Sequence, residues 1–285
     1  MIPAEFEYFA PASLKEALDL LSTYKDDVKI LAGGQSLVPL MKLRLARPRH
    51  IIDLNRIAAM NYIRLDGESL RIGALATHAE IEDSALVQKE SSLLSQAAAT
   101  IGDVQVRNQG TIGGSLAHAD PTADLPAAML ALEAELKAVG PGGERWIKAE
   151  DFFVGFFTSC LESNEILTEI NVPVKRAGKT AYLKAAQRAS GFAVVGVAVR
   201  LGLEQNGICK DIAIGMTGVG DKAYRARGAE AILRSKKLEE PLLEQAASKV
   251  TDGIDPLEDI NGSKEYRSHL ARVYTVRAIR AAMAS

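Results

Sequence analysis

The chain has 285 residues, 47% of them hydrophobic and 25% charged, and a net charge of −2 from 34 Lys and Arg against 36 Asp and Glu. This balance is typical of a globular protein of about two domains and excludes a disordered or collagen-like chain. The sequence has no basic block that would indicate a nucleic-acid partner and no apolar run of membrane-spanning length. Because the first residues lack the basic and apolar regions of a signal peptide, we expect a cytoplasmic protein.

The cysteines and histidines show no spacing typical of a metal site. Cys160 and Cys209 lie far apart in separate segments, so they predict neither a disulfide framework nor an iron–sulfur or zinc site. No HExxH or comparable pattern connects the histidines, which are His50, His78, His118 and His269. We therefore expect no metal in this chain.

The first fifty-five residues predict a βαβ-like unit. Ser13 caps an amphipathic helix, and "VKILA" predicts a short buried strand. Gly33 and Gly34 then turn the chain, and a helix begins at Ser36 or Leu37 and continues through "LVPLMKLRL". "HIIDL" predicts the returning strand.

The next segment mixes hairpins and helices. An Asp66-Gly67 turn predicts one hairpin, and "PGG" inside "AELKAVGPGGERWI" predicts another. Thr77 and Glu80 form a capping box, a second helix ends at Gly102, and "DLPAAMLALEA" reads as a third. "EILTEINVPV" predicts a strand, and "DFFVGFFTS" predicts core, with an interface as the alternative. Because helices and strands do not alternate regularly, the fold class is α+β.

A polar break, "VKRAGKT", predicts the boundary between two domains, residues 1–175 and 176–285. Asn206-Gly207 then joins two long apolar runs into a hairpin. Ala- and Leu-rich windows at 226–250 and 264–284 predict helices behind this sheet.

Two glycine pairs indicate a nucleotide site. A Gly-Gly turn between a strand and a helix exposes N–H groups at the positive end of the helix, which suits phosphate, although an ordinary tight turn explains one such pair. Neither GxGxxG nor a P-loop is present. A second pair in "TIGGSLAHADPTAD" lies between the hydroxyls of Thr111 and Ser115 and is followed by Asp120 and Asp124. Together they predict a nucleotide cofactor between two glycine turns.

The strings "AGGQSLVPLMKLRLARP" and "TIGGSLAHADPTADLPAAMLAL", with the start and the tail of the chain, resemble the FAD-binding medium subunit of the molybdenum hydroxylases. This is the carbon monoxide dehydrogenase and xanthine dehydrogenase family. The resemblance implies an FAD-binding domain of the vanillyl-alcohol oxidase (PCMH) type in two subdomains, 1–55 and 56–175. It also implies a C-terminal domain with a three-stranded antiparallel sheet and helices.

The same resemblance implies that FAD is bound by two segments whose glycines let the backbone touch the diphosphate. The first is Ile30, Leu31, Ala32, Gly33, Gly34, Gln35, Ser36 and Leu37. The second is Thr111, Ile112, Gly113, Gly114, Ser115 and Ala117.

Four further residues match cofactor positions of the family. Asp124 matches an acid that hydrogen-bonds FAD, and Leu167 a leucine near the flavin or adenine. Lys184 matches a lysine at the flavin ring, although a solvated lysine is the ordinary alternative. Phe192 stands where some relatives have a flavin-covering Tyr. Gln35 and Ser115 replace the His of the carbon monoxide dehydrogenase type and a common Asn, and both keep hydrogen-bonding capacity.

The resemblance implies an electron-transfer subunit with no catalytic residue of its own. The molybdenum cofactor is expected on a large partner subunit and two [2Fe–2S] clusters on a small one, in a dimer of heterotrimers. A self-sufficient FAD oxidoreductase of the same fold, or a non-catalytic nucleotide-binding protein, remain alternatives. His118 reads as a residue beside the cofactor or paired with Asp120 rather than as an acid or base.

Overall fold

The structure is a computed structural model that describes residues 2–174 and 178–285. Its strands are β1 Glu7–Phe9, β2 Val28–Leu31, β3 His50–Asp53, β4 Ile63–Asp66, β5 Ser69–Gly73, β6 Glu135–Gly140, β7 Gly143–Lys148, β8 Phe153–Gly155, β9 Thr158–Ser159, β10 Ile166–Pro173, β11 Lys179–Ala186, β12 Ala193–Leu203, β13 Cys209–Thr217 and β14 Tyr224–Arg225. Its α-helices are α1 Leu14–Tyr24, α2 Leu37–Lys42, α3 His78–Asp83, α4 Ala85–Glu90, α5 Ser92–Ala99, α6 Val104–Gln109, α7 Ile112–His118, α8 Asp124–Leu132, α9 Ala149–Phe152, α10 Arg227–Leu233, α11 Glu240–Ala247 and α12 Lys264–Ala284.

A three-stranded parallel sheet in the order β1-β3-β2 forms the first part of the fold. The predicted strand–helix–strand unit is confirmed, because α2 connects the parallel strands β2 and β3. Ser13 caps α1 by accepting a hydrogen bond from the Glu16 N–H, as its sequence pattern predicts. Strand β1 was not predicted, since "EYF" is short and mostly exposed.

A five-stranded antiparallel sheet in the order β4-β5-β10-β6-β7 follows. Both predicted hairpins are confirmed, and Thr77 and Glu80 form the predicted capping box at the start of α3. The expectation that "DFFVGFFTS" is core is correct for Phe152 and Phe153 only. Phe156 and Phe157 are exposed, because the chain turns outward between β8 and β9.

The C-terminal sheet has the order β11-β12-β13-β14, so the expected three strands become four through the two-residue β14. Neighbouring residues of β12 belong to different cores: Ala198 joins the core of the first part, while Val197 and Val199 join the core under α10, α11 and α12. The sheet is therefore covered on both faces, by α8 on one and by the C-terminal helices on the other, which explains its continuous apolar runs.

Helix α8 connects the two parts of the molecule. All nine of its residues are buried. At its N-terminus, the Thr217 hydroxyl donates to the carbonyls of Pro121 and Ala123. At its C-terminus, Arg200 donates to the Ala131 carbonyl and Arg225 to the Leu130 carbonyl. The C-terminal sheet therefore holds both ends of this helix.

The fold class is α+β, as the sequence predicts. The proposed boundary between residues 175 and 176 lies outside the described residues. None of the helices in the described ranges is long and apolar enough to cross a bilayer.

Candidate cofactor site

The first glycine segment presents free backbone N–H groups. It leaves the end of β2, bends at Gly33 and Gly34, and enters α2 at Leu37. In residues 2–174 and 178–285, the N–H groups of residues 33 to 37 have no hydrogen-bond acceptor. Five successive donors at the start of a helix form a site suited to an anion, because the unpaired N–H groups carry partial positive charge.

The glycines of this loop have physical causes that differ from the expected one. Gly33 lies against the chain itself, since an ideal Cβ on it would be 2.1 Å from the Gln109 carbonyl oxygen and 2.7 Å from the Gly110 Cα. Gly34 has φ +71°, a conformation that side chains disfavour. The expectation that both glycines are bare in order to touch a diphosphate stays a prediction beside these packing reasons. The glycines are required by packing and by the bend of the loop.

The sequence predicted that the second glycine pair would form a loop turn. In the structure the pair lies instead in the first turn of helix α7. Thr111 is its N-cap and accepts from the Gly114 N–H at 3.2 Å. The Ile112 N–H donates to Ala76 and the Gly113 N–H to Ala74, at 2.9 and 2.8 Å. Ser115 donates its own N–H to the Thr111 carbonyl. The backbone donors of residues 112 to 115 thus have acceptors within the chain. The Ser115 hydroxyl is the polar group of this segment that could contact a ligand.

The structure brings the two segments together. The ideal Cβ of Gly114 would lie 3.7 Å from the Cβ of Ala32. Asn55, which sequence reasoning missed, fixes the first segment by donating to the Ala32 carbonyl at 2.9 Å and to Asp53. Its position two residues after β3, at the same sheet edge as the loop after β2, was the available signal.

His78 supports this arrangement from behind and was also missed as a site residue. Its ring lies directly against Gly110, whose ideal Cβ would be 2.8 and 2.9 Å from two ring atoms. Its backbone N–H donates to the Gly110 carbonyl. The ring is 4% exposed, and its Nδ1 has no partner among the described residues. Burial, with a smaller contribution from the Arg107 charge, lowers the pKa of His78 to about 4.

A buried ion pair lies at the start of α8. Lys184 Nζ is 3.0 Å from Asp124 Oδ2, and the side chains are 7% and 4% exposed. The Tyr182 hydroxyl donates to Asp124 Oδ1 at 2.5 Å. Burial raises the pKa of Asp124 despite the Lys184 charge, and burial together with Asp124 raises that of Tyr182. The alternative of a solvated Lys184 is wrong.

Lys184 also fastens a loop. Its Nζ donates to the carbonyls of Thr100 and Gly191, both at 2.6 Å. Its three N–H donors are therefore engaged by Asp124, by the end of α5 and by the loop between β11 and β12. Phe192, in that loop, is 40% exposed, so its ring is accessible to a planar ligand.

The remaining predicted residues occupy different environments. Leu167 is 5% exposed in the core, beside a bulge in β10, and pairs with Ala138. Ile30 and Leu31 are half-buried at the end of β2, and Ala117 is exposed on α7. His118 ends α7 and packs its half-buried ring against Phe157. No group of three or more His, Cys, Asp or Glu residues in the described ranges could hold a metal ion.

Comparison with known proteins identifies relatives that match almost the whole chain. A family model described as "FAD binding domain in molybdopterin dehydrogenase" matches residues 4–175, and one described as "CO dehydrogenase flavoprotein C-terminal domain" matches residues 180–282. The glyceraldehyde dehydrogenase medium chain of Sulfolobus acidocaldarius is 41% identical, over 98% of this chain and 99% of its own. The carbon monoxide dehydrogenase medium chain of Hydrogenophaga pseudoflava is 40% identical, over 100% and 99%.

The solved structures agree. Carbon monoxide dehydrogenase from Hydrogenophaga pseudoflava, in a form lacking the Mo-pyranopterin moiety, matches with a TM-score of 0.96 and 42% identity, covering 100% of this chain and 99% of the other. Quinoline 2-oxidoreductase from Pseudomonas putida 86 matches with a TM-score of 0.94 and 34% identity over the same shares.

Proposed function

Since the chain belongs to the FAD-binding medium subunits of the molybdenum-containing dehydrogenases, we propose that it passes electrons from iron–sulfur clusters of a partner subunit through FAD to an external acceptor. It is an FAD-binding oxidoreductase subunit. Its relatives are named for substrates as different as carbon monoxide, glyceraldehyde and nicotine, so the substrate is not inferred from them.

The observation that supports the proposal is the loop of residues 33 to 37. A flavin dinucleotide carries a diphosphate, and this loop offers five successive backbone donors that have no acceptor in residues 2–174 and 178–285. The residues present therefore fit the cofactor. FAD supplies the ability to accept electrons one at a time and to release them in pairs.

We assign roles to the chain's own groups as follows. The N–H groups of residues 33 to 37 bind the diphosphate, and the Gln35 and Ser36 side chains add donors beside it. The Ser115 hydroxyl approaches from the second segment. Asp124 and Lys184 hold the loop that carries Phe192, whose exposed ring would pack against a flavin, and the half-buried end of β2 with Ala117 and Leu167 would form apolar walls.

We place the molybdenum cofactor and the [2Fe–2S] clusters on partner subunits. A solved relative is titled a Cu,Mo-CO dehydrogenase, and the relatives are named as medium chains or subunits. The described part of this chain has no cluster of metal-binding side chains, and Cys160 and Cys209 lie in different parts of the fold. We further propose a dimer of heterotrimers, with the domain boundary at residue 175.

Native mass spectrometry of the assembly from its own source, with flavin, iron and molybdenum analysis, tests the function. We expect FAD on this chain and two further subunits with both metals. This chain alone with FAD and no metal would indicate a self-sufficient FAD oxidoreductase instead. A chain that takes up no FAD would contradict the proposal entirely.

A further inference from the structure

A basic and apolar surface lies at the end of the helix that starts in the cofactor loop. Helix α2 stops at Lys42, earlier than the sequence predicted, because the chain turns sharply at Arg44. The turn leaves Leu43 52% and Leu45 74% exposed. The exposed residues of this segment, called the leucine–arginine surface below, are Lys42, Leu43, Arg44, Leu45, Arg47 and Arg49.

The charges of this surface are unbalanced. In the described ranges none of its four cations, Lys42, Arg44, Arg47 and Arg49, forms an ion pair with a carboxylate. The sequence has no Asp or Glu between Val28 and Ile52, and in the fold Glu7 and Asp27 lie beside Arg49 alone of these cations through backbone hydrogen bonds. The chain as a whole is slightly acidic, with a net charge of −2. A local excess of positive charge around exposed leucines therefore favours an anionic partner surface with an apolar centre.

The shape of the surface is fixed by its own hydrogen bonds. Arg44 has φ +58°, a left-handed conformation that is unfavourable for a side-chain-bearing residue. The Arg44 N–H donates to the Met41 carbonyl, and the Leu45 N–H donates to the Leu40 carbonyl, both at 2.9 Å. Arg47 Nε donates to the Arg44 carbonyl at 3.1 Å. This is a left-handed helix C-terminus, and its hydrogen bonds hold the backbone of the surface in one conformation.

We propose that the leucine–arginine surface is the docking site of the iron–sulfur subunit that delivers electrons to this chain. The proposal depends on the function proposed above. A [2Fe–2S] cluster bound by four cysteine thiolates carries net negative charge, so a basic rim attracts the domain that holds it. The surface also lies at the far end of α2, a six-residue helix of about 9 Å that begins in the diphosphate loop. Docking there brings the electron donor close to the cofactor.

An anionic membrane is the other surface that basic residues and leucines can attract. The strength with which a segment binds a membrane surface scales with the apolar area that it buries there. Here one short helix and a turn carry two exposed leucines, too little apolar area for stable lipid binding. The compact, rigid turn fits a protein pocket better.

The test uses the whole assembly, purified through a tag on this chain, with FAD and iron measured per chain. Two variants alter the surface, Leu45→Asp and the double variant Arg44→Glu/Arg47→Glu. Matched controls are Leu65→Asp, whose leucine is 45% exposed on β4, and Lys148→Glu/Lys236→Glu, whose lysines are exposed and have no ion pair in the described residues. Sedimentation with vesicles of phosphatidylcholine and phosphatidylserine tests lipid binding in parallel.

We expect both surface variants to keep one FAD per chain and to lose iron by about tenfold or more. Leu45→Asp removes the central apolar contact, and Arg44→Glu/Arg47→Glu reverses the charge of the rim. Both controls keep wild-type iron. Surface variants with wild-type iron would overturn the docking site while leaving the proposed function intact. So would surface-dependent vesicle binding with unchanged iron. A wild-type assembly that has FAD but no iron would contradict the proposed function, and this docking site with it.

Discussion

The two glycine pairs look alike in the sequence, but the backbone N–H groups around them have different hydrogen-bond partners in the fold. Around Gly33 and Gly34, the N–H groups of residues 33 to 37 have no acceptor in the part of the chain that the structure describes. Around Gly113 and Gly114 the chain uses every N–H from residue 112 to 115, through the cap of α7 and two carbonyls of the segment before α3. We therefore propose that the first pair belongs to a ligand-binding loop and the second pair to a structural joint, residues 111 to 115.

The difference shows that a glycine indicates a close approach to the backbone but does not indicate whether a ligand or the chain itself approaches it. Gly33 is bare because the Gln109–Gly110 backbone lies against it, and Gly113 because Ala74 lies 2.4 Å from its ideal Cβ. In the proposed site, the diphosphate binds beside these contacts, to N–H donors that have no acceptor among the described residues.

The buried Lys184–Asp124 pair holds the start of α8 to the C-terminal sheet, and the largest effect is expected from Lys184→Ala. Removing the lysine leaves the Asp124 carboxylate buried without its charge partner. We expect the free energy of unfolding to fall by about 3 to 5 kcal/mol. Chemical denaturation of the flavin-free protein measures this loss. The double variant Lys184→Met/Asp124→Leu, which removes both charges, should be less damaging than the single one; an equal or greater loss would contradict the ion pair as the cause.

Gly33→Ala breaks the contact that positions the binding loop. A methyl group at 2.1 Å from a backbone carbonyl oxygen cannot be accommodated by a side-chain movement. We expect a loss of about 3 kcal/mol in stability together with weaker FAD binding, measured by denaturation and by flavin fluorescence titration. Gly142→Ala is the control, since nothing lies within 4 Å of its ideal Cβ. Unchanged FAD affinity in a folded Gly33→Ala protein would separate this glycine from the site.

The buried His78, whose ring packs against Gly110 behind the loop, makes the stability of the folded protein dependent on pH. Its pKa is lowered from 6.5 to about 4, so between these values the unfolded chain binds a proton that the folded chain does not. The contribution of the neutral His78 to the free energy of unfolding is therefore fully present above pH 6.5. It declines as the pH falls toward 4, by about 3 kcal/mol in all. Denaturation curves across this range should show the decline, and His78→Phe should reduce it. Identical pH profiles for the two proteins would exclude His78 as the source.

The smallest effect is expected from a change at Thr111, the N-cap of α7 within the structural joint. Thr111→Ala removes the N-cap of α7 and should cost about 1 kcal/mol of stability. Because the Gly114 N–H already donates to the Thr111 hydroxyl, the proposed site does not use it, and the folded variant should keep its FAD affinity. A loss of FAD binding much larger than the loss of stability would instead assign Thr111 to the cofactor.

Local patterns predicted much of the fold and little of the site's packing. The Asp66-Gly67 and Asn206-Gly207 hairpins and the Thr77–Glu80 capping box depend on neighbours in sequence, and all three form. Helix α7 was not predicted, because two adjacent glycines each disfavour a helix by about 1 kcal/mol and only the contacts with Ala74 and Ala76 outweigh this.

Long-range contacts explain the other gaps. The burial of Lys184 depends on Asp124, sixty positions away, and on the carbonyls of Thr100 and Gly191. A lysine in sequence gives no sign of such partners. Likewise, the exposure of Leu43 and Leu45 follows from the left-handed turn at Arg44, which no residue preference predicts.

Hydrogen–deuterium exchange with and without FAD tests the central claim most directly, because it follows the two sets of amides in one experiment. Peptides covering residues 33 to 37 should exchange fast in the flavin-free protein and become protected when FAD is added. Peptides covering 112 to 115 should be protected in both states. If FAD leaves residues 33 to 37 unchanged and protects 112 to 115 instead, the roles assigned to the two glycine pairs are reversed and the account fails.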